Sequence, residues 1–298
     1  MKTMLILGVD SLIGQCFVEN YNDFKIFGTY HYTPVKASNI ETFSLDLKFS
    51  NRIISTIDEL KPDIIVNAAG RTNIDYCETN PIDAYLINEL ATKNIVLAAE
   101  KNGSFLVQIS SDLVFDGFVR KSYGEEDETN PISVLGKTKL NAENIIKSSL
   151  NNYLIIRAGP IFGWNYLTKK RNYVTWILEN LKANKEISLV TDQYSNYTLN
   201  DFVCNSALKL YKSGITGIFN IAAKDCISQY ELGLKIAEIF DLNEQLIKMT
   251  TSKKVRVIGH LPKYACLDTS KLKNAIGSDI PDTKSMLKMM RDKGNIES

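Results

Sequence analysis

The chain has 298 residues, 44% of them hydrophobic, enough to bury one large domain or a large domain with a smaller lobe. Lysine and arginine number 35 against 34 aspartates and glutamates, a net charge of +1, so no field of one sign argues for nucleic acid or an anionic membrane as partner. Residues 1–8 run straight into a strand pattern without a leader-like apolar stretch, and nowhere do about 18 apolar residues run together, so a cytoplasmic protein is expected.

Met4-Leu5-Ile6-Leu7 has the composition of a buried parallel strand, 12–21 the period of a helix, 25–30 that of a second strand, and 42–45 is strand-like again. A helix follows over 53–60, a strand over 63–69, a long helix over 81–102, a strand over 104–110, a helix over 137–148 and a strand over 153–157. Strands spaced by helices of this length predict an α/β fold, a Rossmann-type doubly wound parallel sheet covered on both faces, assigned to 1–163. Beyond it the elements shorten: helix 173–184, strand 187–190, helix 201–213, strand 217–221, and helix 228–240 with Ser228 as its cap. They predict a smaller α/β substrate lobe over 164–298, interleaved with the sheet domain, with segments returning to it. A short helix from Pro281 onward is expected to fray at its end. Cys16, Cys77, Cys204, Cys226 and Cys266 are odd in number and widely spaced, which suggests neither a disulfide framework nor a metal cluster. His31 and His260 share no ligand spacing with them, so no metal is expected.

Chemistry-bearing residues fall at the predicted strand ends. Gly8 and Gly14, with Ser11, Leu12 and Ile13 between them, follow the first strand and open the first helix, as a phosphate-binding turn does, although Ser11 stands where a middle glycine is usual. Its hydroxyl can add a donor. Ala68, Ala69 and Gly70 end another strand with residues small enough for a ribose or nicotinamide to lie against the backbone. Asp46-Leu47 sits at a depth suited to an adenine and equally to a surface turn. The second strand ends in Tyr30-His31-Tyr32, without the acid that would hold a ribose 2′-hydroxyl; with Lys36 nearby, this tilts the cofactor from NAD toward NADP. Ser110-Ser111-Asp112 brings two hydroxyls to a strand end, where ligands sit in open parallel sheets and where a plain turn cap is also common. Lys139, one turn before Glu143, can bind ribose hydroxyls if it lies in a cleft.

Together these segments resemble the extended short-chain dehydrogenase/reductases, and more narrowly the dTDP-4-dehydrorhamnose reductase family. That family reduces dTDP-4-keto-L-rhamnose to dTDP-L-rhamnose with a nicotinamide cofactor. The resemblance runs through Gly8 and Gly14, Asp63 to Gly70, Asn88, Ser110-Ser111-Asp112 with Val114-Phe115-Asp116-Gly117, Asn130-Pro131, and Gly136 to Leu140 with Glu143. It continues through Arg157, Phe162-Gly163, Asp192-Gln193 and 267–272. It implies a catalytic hydroxyl at Ser111, an active-site lysine at Lys139, cofactor contacts that include Asn88, and substrate contacts among Asp112, Phe115, Arg157, Asp192 and Gln193. It also implies a nucleotide-sugar substrate, dTDP-linked in the family, and a homodimer.

The departures from the pattern are specific. Leu135 replaces the tyrosine that gives a proton to the carbonyl oxygen, Leu113 replaces a second tyrosine, Leu261-Pro262 stands for Arg-Pro, and Tyr197 precedes Thr198 where proline is expected. Tyr123 in the loop 120–124, Tyr166, and the carboxylates Glu125, Glu126, Asp127 and Glu128 are alternative proton sources, although ordinary surface tyrosines and a solvated acidic loop face are the reading favoured for them. Three readings stay open: a nucleotide-sugar 4-keto reductase; a non-catalytic binding subunit of the same fold, similar in kind to the regulatory subunit of methionine adenosyltransferase and acting on a protein partner; and a nucleotide-sugar epimerase.

Overall fold

The computed structural model describes residues 1–19, 23–37 and 40–296. Seven apolar segments form one sheet: β1 (Lys2–Leu7), β2 (Phe24–Tyr30), β3 (Ile40–Ser44), β4 (Ile64–Asn67), β5 (Phe105–Ile109), β6 (Tyr153–Arg157) and β7 (Gly217–Asn220). Their order is β7-β6-β5-β4-β1-β2-β3, and every neighbouring pair is parallel. The central strands β1, β4, β5 and β6 read as largely apolar runs because both faces are buried, whereas the edge strand β3 has no buried residue. On one face Met4, Ile6, Val66, Val107 and Ile156 share a core with α1 (Leu12–Glu19) and with Val203 and Ala207 of helix Asn200–Lys212. On the other, Leu5, Leu7, Ile65, Leu106 and Ile155 meet Ile53 and Ile57 of helix Ser50–Leu60 and Ile95 and Ala99 of helix Ala91–Asn102.

The two halves of the chain exchange strands. β7 comes from the second half and extends the sheet beside β6, whereas Ser122–Tyr123 of the first half pairs with Tyr264–Leu267 in a four-stranded sheet that also holds Tyr194–Ser195 and Ile227–Ser228. A second core, built from Val174, Ile177 and Leu181 of helix Tyr173–Lys182, Leu232 and Ile236 of helix Gln229–Ile239, and Met286, Leu287 and Met290 of helix Thr283–Ile296, fills the lobe. Ser228 caps its helix as expected, in a reciprocal box with Glu231.

Several elements differ from their sequence reading. The helix predicted over 81–102 is broken by a π-helical turn, Tyr85–Leu90, which carries Asn88. The helix expected from 137 begins at Val134, because the Ser133 hydroxyl accepts the Gly136 N–H at 3.1 Å and holds a first turn that a glycine would otherwise weaken. Leu135 is therefore helical. Segment 120–124, read as a loop, contains strand Ser122–Tyr123, and Tyr123 is buried rather than a surface tyrosine. Glu125 is likewise buried, accepting the Asn220 N–H, while Glu126 is exposed as anticipated. Cys226 and Cys266 form a disulfide across 40 residues, correcting the expectation of none; folding, not spacing, brings them together. Tyr21 and the fraying end at 297–298 lie outside the described residues.

At the end of β6, Arg157 and Glu143 make a fully buried ion pair at 2.7 Å. The Arg157 Nη1 also donates to the Glu125 carbonyl, and Ser110 Oγ donates to Glu143. Arg157→Met strands the Glu143 carboxylate and should lower the unfolding free energy in urea by about 3–5 kcal/mol; a loss below about 1 kcal/mol would contradict this account of the pair.

Candidate active site

The strand order reverses between β1 and β4, and in an open parallel sheet that is where a crevice opens at the carboxyl ends. A cleft of about 490 Å³ lies there. Its walls come from the start of α1 (Ser11, Leu12, Ile13), from Ala68 after β4, from Ser111 and Asp112 after β5, from Leu135 and Lys139, and from the stretch Ala158–Ile161 after β6. The lobe closes it with Gln193, Tyr194, Ser195, Tyr197, Gln229, Leu261 and Pro262.

The turn after β1 is built for close approach. Gly8 has φ +81°, and a Cβ there would lie 2.8 Å from the Ala69 Cα; a Cβ on Gly14 would lie 2.1 Å from the Gly8 carbonyl oxygen. The Ser11 hydroxyl accepts the Gly14 N–H at 2.9 Å, capping α1 while its own proton stays available to an anion. Below β4, the Asn88 side chain clamps the Gly70-Arg71 turn. Its Oδ1 accepts the Arg71 N–H at 2.8 Å, and its Nδ2 donates to the Arg71 carbonyl and to Thr138 Oγ1, both at 3.0 Å. Asn88 thus shapes the cleft from behind instead of lining it.

Ser111 caps the 3₁₀ turn Asp112–Val114 and donates its hydroxyl to Asp112 Oδ1 at 2.9 Å. Ser195, arriving from the lobe, donates to Asp112 Oδ2 at 2.8 Å. This bond ties the two halves together across the cleft. Asp112 is 4% exposed. Burial raises its carboxyl from the ordinary 3.8 to about 6, with the Ser195 and Ser111 hydroxyls pulling the other way.

Lys139 is 5% exposed and donates to the Ile109 carbonyl at 2.9 Å. Burial brings its ammonium from 10.5 down to about 8, partly offset by Cys77 and Glu143. One turn earlier Leu135, 4% exposed, packs with Cys77, Ala84 and Leu113. With Leu113, Leu261 and Pro262 it makes an apolar part of the wall, where the resemblance led one to expect two phenols and a guanidinium.

Other anticipated ligands lie elsewhere. Arg157 does not line the cleft; its guanidinium is consumed by Glu143 and the Glu125 carbonyl. Phe115 is buried in a stack with Tyr123, centroids 4.5 Å apart. Asp192 accepts the N–H and hydroxyl of Ser252, away from the cleft, although its neighbour Gln193 lines it. Leu47 is a core residue, Tyr30 packs on the sheet's helical face, and Asp46 pairs with His31 at 3.3 Å; these three lie outside the cleft walls. Tyr123 donates its hydroxyl to Asp116, and neither it nor Tyr166 reaches the cleft. Ser195 and Gln229 escaped the sequence reading, and Tyr197 entered it only as a departure from the family pattern, because only the tertiary fold carries the lobe's short strands to the sheet edge.

The profile of a family described as the RmlD substrate binding domain matches residues 1–295. The chain belongs to that family. A protein named dTDP-4-dehydrorhamnose reductase from Aggregatibacter actinomycetemcomitans is 26% identical over 302 residues, covering 98% of this chain and 99% of the relative. The methionine adenosyltransferase 2 subunit beta of Danio rerio is 28% identical over 280 residues, covering 91% and 84%. Among solved structures, a dTDP-4-dehydrorhamnose reductase from Clostridium acetobutylicum superposes with a TM-score of 0.85 at 26% identity, covering 98% of this chain and 99% of that one. The family's sheet and cleft are therefore the frame in which Leu135 must be understood.

Asp112 makes the site testable without substrate. The folded state holds its proton up to about pH 6, whereas the unfolded chain releases it from 3.8. Stability therefore falls as pH rises through that window, by roughly 3 kcal/mol. Asp112→Asn removes this loss, so its unfolding free energy should gain on wild type as pH rises through the window. A difference that stays constant with pH would contradict the assignment.

Proposed function

We propose that the protein is a nicotinamide-dependent reductase of nucleotide-linked keto sugars. The observation that carries this reading is one cleft that joins the start of α1 at Ser11, Leu12 and Ile13 to the Ser111 hydroxyl and a buried Lys139. Gly8 and Gly14 let the turn after β1 fold tightly against Ala69 and onto itself, which brings the α1 start to the cleft, where its N–H groups suit a pyrophosphate. Lys139 would hold the ribose hydroxyls, and Ala68 gives the nicotinamide ribose a flat backbone surface. When bound, the nicotinamide supplies a hydride to the keto carbon. Ser111, held by the Leu113 N–H that its oxygen accepts, would turn its hydroxyl proton from Asp112 to the keto oxygen when a substrate binds, and Leu135 and Leu113 keep water from that side of the cleft. Gln193 and Gln229 offer amides to the sugar. NADP is favoured over NAD because no acid follows Tyr30 to hold a ribose 2′-hydroxyl, as Tyr30-His31-Tyr32 shows. The dTDP-sugar named for the relatives is the first substrate class to try.

A second reading, a binding subunit without turnover, is favoured by two features: Leu135 has no proton to give, and a relative named as a methionine adenosyltransferase subunit matches over 91% of the chain. Turnover separates the two. Titration with NADPH and NADH by fluorescence, followed by mixing with a dTDP-4-keto-6-deoxy sugar, should show cofactor binding and then its oxidation; Ser111→Ala should lower kcat by about 10²-fold while binding is kept. Binding without any oxidation would favour the second reading.

The charge on Lys139 gives a pH dependence of its own. The ammonium is present below about pH 8 and lost above it, so NADPH affinity should weaken as pH rises through 8. Lys139→Met should bind weakly at every pH and lack that step. A step that persists in the variant would assign it to another group.

A further inference from the structure

Reduction of a ketone leaves an alkoxide that needs a proton, and position 135 cannot supply it. Two tyrosines line the cleft, Tyr194 and Tyr197. Tyr194 is half-buried in a stack with Tyr264, with the Arg120 guanidinium over its ring. Tyr197 is 5% exposed. The short parallel pairing of Thr198–Leu199 with Ile161–Phe162, and the Thr198 N–H donated to the Pro160 carbonyl at 3.1 Å, set residue 197 beside the Ala158–Ile161 stretch of the cleft wall. Its ring is stacked on Tyr173, whose own hydroxyl donates to Gln229 at 2.7 Å. Among the described residues, no hydrogen bond engages the Tyr197 hydroxyl, and it is not one of the fully buried unpartnered atoms, which fits a hydroxyl reachable from the cleft that Tyr197 lines. A phenol held this way at the wall of a ligand cleft is matched when a ligand oxygen meets it. The family pattern leads one to expect proline at 197. The chain has therefore lost a phenol at 135 and gained one at 197, and both positions line one cleft.

We propose that Tyr197 gives the proton to the substrate oxygen in this chain, in place of the residue at 135. The proposal rests on the reductase reading above. Hydride addition converts the ketone C=O into a C–O⁻; the Tyr197 O–H bond breaks as the new alcohol O–H bond forms, and the phenolate left behind regains a proton from water entering the cleft. Burial, with Tyr173 and the charge of Asp112 adding to it, pushes the phenol well above its ordinary value. It thus keeps its proton throughout the neutral range and yields it only to a base as strong as an alkoxide.

The test uses four full-length proteins: wild type, Tyr197→Phe, Leu135→Tyr and the double variant. Each is assayed for NADPH affinity, melting temperature and kcat with a dTDP-4-keto-6-deoxy sugar. Phenylalanine keeps the stacked ring, so folding and NADPH affinity should stay at the wild-type level while kcat falls by about 10²- to 10⁴-fold. Leu135→Tyr in the Tyr197→Phe background should restore it, which loss of packing alone would not permit. Wild-type kcat in Tyr197→Phe overturns the proposal and leaves the reductase reading standing; an inert wild type beside an active Leu135→Tyr overturns both and marks a reductase scaffold kept for binding. Cofactor binding without turnover in all four proteins overturns the reductase reading as well.

Discussion

The site depends on the parallel pairing of β1 with β4 and the reversal of strand order beside it. Met4 to Leu7 lie against Ile64 to Asn67, while the chain on either side of this pair winds in opposite directions. The loops after the two strands diverge, and no packed sheet can close the gap they leave. Helices on both faces bury the strands and push every polar, ligand-facing residue to the carboxyl edge. Ser11, Ala68, Ser111 and Lys139 meet there although up to 128 residues apart, by subtraction of their numbers.

Burying polar groups around such a gap is expensive unless each has a partner. Glu143 is neutralised by Arg157 and also receives Ser110, so of the two strand-end serines at the cleft the first commits its hydroxyl to the buried ion pair and the second to Asp112. Asp112 is held by one hydroxyl from each half of the chain, and Lys139 by the Ile109 carbonyl. Burial shifts both toward their neutral forms, Asp112 upward and Lys139 downward. Against this dense pairing, an unmatched phenol at 197 and an apolar patch around Leu135 stand out as features that the protein's own packing does not complete.

The sheet was legible in the sequence because burial on both faces leaves uninterrupted apolar runs, and Ser111 and Lys139 were legible because each sits in a motif whose neighbours are local. What depended on long-range folding was not. The resemblance made Arg157 a substrate contact, but its partner Glu143 lies 14 residues back on a neighbouring helix. Leu47 followed a promising aspartate yet points into the core. The Cys226–Cys266 bond joins strands whose adjacency no spacing announces. Ser195 is unremarkable in sequence and Tyr197 stood out only as a tyrosine in place of a proline; two short pairings, Tyr194–Ser195 with Tyr264–Leu267 and Thr198–Leu199 with Ile161–Phe162, carry them to the cleft.

The start of α1, Ser111 and Lys139 still meet in one cleft around the apolar Leu135, and on the proposed reading hydride moves to a sugar carbon here. The most direct measurement mixes wild-type protein with NADPH deuterated at the nicotinamide C4 and a dTDP-4-keto-6-deoxy sugar, then reads the sugar by mass spectrometry and NMR. Deuterium on the former keto carbon, with a matching amount of oxidised cofactor, is the predicted result. Saturated cofactor binding with no deuterium on the sugar, under conditions where a dTDP-4-dehydrorhamnose reductase transfers it, would contradict the account.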